Sequence, residues 1–155
     1  MNTNLQFKCT GITEGQKFPL QHTGRGEDQS PEFILANLSP DAKSIAIILD
    51  DIKHPLFGIY NHWVIWNIPV LDRIPGNIPA GKVVPSLGNA IQGIGYGRHK
   101  YAGPKPPRGK QHAYQFTIYV LDSTITLKEN AKKKHLLRAI KPHIIQQGEL
   151  TGVFE

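Results

Sequence analysis

The chain has 155 residues, 15 of them glycine and 12 proline, and a formal net charge of +6, which bounds it to one turn-rich domain spanning 1–155. A single cysteine, Cys9, excludes an intrachain disulfide and a cysteine-built zinc knuckle. No apolar run approaches the roughly 20 residues that span a bilayer, and "MNTNLQFKCTGITEG" has no secretory pattern, so a cytoplasmic location is expected.

In chain order, "FILANL" (33–38) predicts a short strand that ends in the turn "SPDAK". "SIAIILDD" (44–51) predicts a strongly apolar strand, and "YNHWVIWNIP" (60–69) another, stopped by Pro69. Residues 70–111 are so rich in proline and glycine that they read as one long irregular region. Loops of that length are usually functional or disordered, and "IQGIGYG" and "GPKPPRG", with backbone shaped for close approach, favour functional. "AYQFTIYVLD" (113–122) is the next strand. Thr126 and Glu129 match a T-x-x-E capping box, and Ala131, Leu136, Leu137 and Ile140 give a helical apolar stripe that stops at Pro142. "GELTGVF" (148–154) predicts a terminal strand. Many short strands with turn signals between them indicate a β sandwich or barrel.

The basic residues concentrate in "RHKYAGPKPPRGK" (98–110) and "KENAKKKHLLRAIK" (128–141). Neither segment interleaves aromatic residues as a base-stacking platform does, so nucleic acid is not expected as a partner. A mildly basic surface that attracts small anions fits better.

Side chains two apart along a strand share a face. That rule places His112 and Tyr114 with Phe116, Ile118 and Val120; Asp51 with Ile45, Ile47 and Leu49; and His62 with Tyr60, Val64 and Trp66. Taken singly, each polar residue has a plain structural use as a capped strand end or a core-edge tyrosine. Together at one end of one sandwich they would form an anion site: two imidazoles and a phenol to donate hydrogen bonds, an aspartate to orient one ring, and backbone dipoles from the Gly/Pro loop. Such a site needs no metal and no cofactor.

Three ordered segments, "LDDIKHP" (49–55), "NHWVIWNIP" (61–69) and "GPKPPRGKQHAYQFTIYVLD" (103–122), resemble the D-P-D-A-P, H-W-x-x-x-N-I-P and G-P-x-P-P-x-G…H-x-Y segments of the phosphatidylethanolamine-binding (Raf kinase inhibitor) protein family, in its short bacterial and archaeal form. The resemblance implies a mainly β fold: a sandwich of two antiparallel sheets with Greek-key elements and one or two peripheral helices. It implies an anion pocket at Asp51, Pro55, Tyr60, His62, Gly103, Pro106, Pro107, His112 and Tyr114. It also implies a phosphate-containing ligand and, in some relatives, a protein partner of the kinase type. The chain departs from D-P-D-A-P at Ile52, Lys53 and His54. Lys53 in place of an acid is expected to modulate the site toward dianions and away from zwitterions.

Binding rather than catalysis is therefore expected. Two other readings stand beside it. One is a hydrolase in which a His–Asp pair activates water, although Ser86 in "VPSLG" lies outside any nucleophile motif and His54, His62, His99 and His112 match no metal spacing. The other is an interaction protein with a vestigial pocket, for example a homodimer, which an exposed Trp63 or Trp66 would support.

Overall fold

The structure is a computed structural model that describes residues 4–155; the first three residues of the segment read for a secretory pattern lie outside the described ones. Nine strands and one helix follow in chain order: β1 Phe7–Cys9, β2 Phe33–Leu35, β3 Ser44–His54, β4 Gly58–Ile68, β5 Arg73–Ile74, β6 Val83–Val84, β7 Ala90–Gln92, β8 His112–Leu121, α1 Lys133–Ile140 and β9 Ile144–Phe154. They form a small sheet of order β1-β2-β5 and a large one of order β6-β7-β4-β3-β8-β9, antiparallel throughout. The long return from β4 to β8, which lands beside β3 rather than β4, is the Greek-key step. The fold is thus the expected mainly β sandwich. No helix among the described residues is long and apolar enough to cross a membrane.

The isoleucine-rich run of β3 is apolar on both faces because both are covered. Ile45, Ile47 and Leu49 join Phe33, Trp63, Ile65, Phe116 and Ile118 in the core between the sheets. Ala46 and Ile48 face the other way, into a second cluster with Val64, Trp66, Leu121, Leu136 and Ile140 beneath α1. Trp63 and Trp66 are both buried, which removes the exposed tryptophan that an interaction role was expected to show. Fully burying one such large side chain is worth roughly 1.5–3 kcal/mol, so the sheet is held from both sides.

The alternation rule holds for β3 and β8 and fails in β4. Leu49 pairs with Trp63 but Asp50 with Asn61, so β4 carries one extra residue, His62, in a β-bulge. The bulge separates His62 from Val64 and Trp66, which point under α1, and leaves it on the side of Asp51 and Tyr60. The expected face-sharing of His62 with Tyr60 stands; that with Val64 and Trp66 does not.

The helix begins later than its sequence signature predicts. Thr126 and Glu129 form no capping box, because the backbone before Lys133 is committed elsewhere. Ile125 exchanges hydrogen bonds with the Asn67 side chain at 2.8 Å in both directions, and Ala131 accepts from Ile94 N–H at 2.8 Å. The first turn is closed instead by His135 Nδ1, which accepts from Lys132 N–H at 3.0 Å. Pro142 lies in a 3-10 turn, Lys141–His143, just past the helix. The region read as irregular, 70–111, contains the three short strands β5, β6 and β7, and β9 extends further toward the helix than predicted.

Candidate functional site

β3 and β8 run side by side with Asp51 opposite Tyr114, and β3 and β4 with Asp51 opposite Tyr60. Register alone therefore gathers Asp51, Tyr60 and Tyr114, while His112 begins β8 and the bulge adds His62. These five residues line a cavity of about 330 Å³ at one end of the large sheet.

Three of the five are fixed by hydrogen bonds behind them. His112 Nδ1 donates to Asp51 Oδ2 at 2.6 Å, and the other oxygen, Oδ1, accepts from Lys53 N–H at 2.8 Å. His62 Nδ1 donates to the Ala102 carbonyl at 2.8 Å. With both Nδ1 atoms committed, Nε2 is the nitrogen each ring offers to the cavity. Burial pushes the His62 pKa below its ordinary value, against the opposing pull of its bond to Ala102 and the charge of Asp51. Burial, reinforced by Asp51, raises the Tyr114 phenol, so it keeps its proton as a donor.

One wall is the Gly/Pro loop. Lys105, Pro106 and Pro107 line the cavity, and the loop is latched from behind by residues 22–28. Tyr101 Oη donates to the His22 carbonyl at 2.6 Å, Gly24 N–H to Pro104 at 2.9 Å, Gly103 N–H to Asp28 Oδ1 at 2.7 Å, and Arg25 Nη2 to the Pro106 carbonyl. A Cβ on Gly103 would meet the His22 carbonyl oxygen at 2.2 Å, so only glycine permits this approach.

The rim comes from the β3–β4 hairpin and the loop before β8. His54 stacks on Phe57 with ring centroids 4.8 Å apart, and its Nδ1 accepts from Leu56 and Phe57 N–H at 3.2 Å each. That leaves the Nε2 of a neutral His54 protonated, a donor that requires no ionisation. Tyr96, at 4.8 Å from the His62 ring, completes an aromatic collar with Tyr60 and Phe57.

Of the residues expected at the site, Asp51, Tyr60, His62, Pro106, Pro107, His112 and Tyr114 line the cavity, while Pro55 lies in the exposed hairpin turn and Gly103 acts behind the wall. Lys53 is exposed and contributes its backbone N–H, not its ammonium; the cation in the lining is Lys105. His54, Leu56, Phe57, Tyr96 and Lys105 were not in the expected set. The hairpin was the missed signal: it pairs His54 with Gly58 and so folds residues 54–57 back over Asp51 and Tyr60.

A family model described as "Phosphatidylethanolamine-binding protein" matches residues 9–155. A UPF0098 protein of Pyrococcus abyssi is 43% identical over 151 residues, covering 96% of this chain and 84% of its own. One from Methanothermobacter thermautotrophicus is 32% identical, covering 97% and 98%. Among solved structures, a phosphatidylethanolamine-binding protein homologue from Chlamydia trachomatis superposes with a TM-score of 0.86 at 27% identity over 99% of both chains. YbcL of E. coli, described as a member of the mammalian family, gives 0.84 at 25% identity over 98% of both. The chain belongs to the phosphatidylethanolamine-binding protein family.

Proposed function

We propose that the protein is a binding module for a small anion, phosphate or a phosphate monoester, held at the floor of the β3/β4/β8 cavity. The observation that carries this is the pair of buried histidines whose Nδ1 atoms are already spent on Asp51 and Ala102. Their Nε2 atoms, the Tyr114 hydroxyl and His54 then converge on one small space. Asp51 is the one acid in the lining and is occupied by His112 and Lys53 N–H, which leaves no free carboxylate for a ligand ammonium. That favours an anion over a zwitterionic headgroup. The lining holds no serine, threonine or cysteine, and Ser86 is outside it, so a hydrolase built on a hydroxyl or thiol nucleophile of those types finds none there.

A neutral His62 or His112 presents a lone pair at Nε2 and repels an oxyanion; a protonated one donates to it. Binding should therefore draw a proton onto His62, whose pKa burial holds below its ordinary value in the free protein. Thermal melts with inorganic phosphate test the reading. A ligand at 100 times its Kd adds about 2.7 kcal/mol of stability, so the wild-type protein should melt higher with phosphate. His62→Ala and His112→Ala should lose the shift. Equal shifts in all three proteins would overturn the proposal.

A further inference from the structure

We infer that the ligand of this cavity is elongated and carries a second anionic group, which sits in a lysine-lined groove on the far side of the Tyr60–Tyr96 wall. The inference rests on the anion reading above and extends it to the class of ligand.

The groove, about 520 Å³, is larger than the cavity and shares Tyr60 and Tyr96 with it. Those two rings meet edge to face, centroids 5.6 Å apart at 80°, and stand where the two spaces adjoin. Tyr96 is held at φ 52°, a conformation uncommon for an aromatic residue, and is 41% exposed. Gly95 packs on β4, where a Cβ would meet Trp63 N at 2.7 Å, and it exchanges backbone hydrogen bonds with Arg98. Tyr96 and Gly97 (φ 68°) therefore form a two-residue primed turn that itself requires positive φ and presents the Tyr96 ring beside Tyr60.

The opposite wall of the groove is Lys132, Lys133 and Lys134. They stand at the start of α1, where the helix dipole favours carboxylates, and the first turn contains no acid. Lys133 is tied to Asp50 at 2.6 Å; among the described residues it is the only one of the three in an ion pair. Lys132 and Lys134 are exposed, and no acid lines the groove. Three cations are thus concentrated against the local electrostatic preference and beside an aromatic surface. Breaking a local rule in this way points to a use outside the fold itself. Both spaces lie within the roughly 300–1,000 Å³ of small-molecule sites. The fitting ligand has phosphate at one end, an apolar or planar spacer across the two tyrosines, and a second anion at the lysines.

Calorimetry with three probes tests this: inorganic phosphate, hexyl phosphate and 1,6-hexanediol bisphosphate. Tethering the second phosphate should make the bisphosphate about tenfold tighter than hexyl phosphate in the wild-type protein. In the double variant Lys132→Glu, Lys134→Glu that ratio should fall to about one. The same charge change at Lys8 and Lys43, exposed and on neither cavity, should leave it near ten. A wild-type ratio near one, with phosphate still bound, would overturn the second contact alone. No binding of any probe would overturn the anion reading and this inference with it. If Lys132 and Lys134 instead prove necessary for binding anionic vesicles while the ratio stays near one, they belong to a membrane surface and the inference fails.

Discussion

Asp51, His62, His112 and Tyr114 at the cavity floor are each at most 9% exposed; Asp51 and Tyr114 are paired on both sides, and His112 and His62 are held through Asp51 and the Ala102 carbonyl. Leu56 and Phe57 at the rim are 82% and 65% exposed and hang from a hairpin turn. The floor is preorganised: its donors have little freedom left to lose when a ligand arrives. The rim keeps that freedom and can adapt to whatever a bound molecule carries beyond the group held at the floor. One pocket thus combines a fixed floor with an adaptable entrance.

Substitutions should separate the two regions by size of effect. Asp51→Ala strands the His112 Nδ1 proton in a buried setting and should cost roughly 1–3 kcal/mol, the penalty for a buried donor left without its acceptor. A urea midpoint that moves by less than the equivalent of about 1 kcal/mol would show the floor to be looser than described.

A smaller effect should come from pH. The folded pKa of His62 lies below its ordinary value of 6.5, so as pH falls the unfolded chain takes up the proton first. This contribution to stability is complete above about 6.5 and is lost as pH drops through the folded value. His62→Gln should therefore flatten the fall in urea midpoint between about pH 7.5 and about pH 5.5; an unchanged slope would locate the titration elsewhere.

The smallest effect is expected at the rim. Phe57→Ser should change stability by no more than about 0.5 kcal/mol, the usual range for surface positions. A loss above about 2 kcal/mol would mean that its stacking on His54 holds the hairpin and that floor and rim are one unit.

The same division governed what the sequence disclosed. Period-two alternation along β3 and β8 places Asp51, His112 and Tyr114 correctly because those strands are regular to the end of the cavity. It misplaces the neighbours of His62, since one inserted residue reverses parity: Tyr60 and Trp63 differ by an odd number yet face the same side. The rim was not legible at all. Tyr96 and Lys105 reach the cavity only because the two loops fold onto β4 and onto residues 22–28, contacts that no local pattern encodes. The capping box at Thr126 failed for a related reason: a distant Asn67 claims the backbone first.

The latch between residues 22–28 and 101–106 also determines how the site can be handled as a piece of chain. Its bonds join positions 79 and 75 residues apart, and the floor draws on residues 51 and 112. No contiguous peptide shorter than the span from His22 to Tyr114 contains both floor and latch. Grafting "GPKPPRG" onto another scaffold would transfer a loop without its fastenings, and splitting the chain anywhere between the two segments would divide the pocket itself.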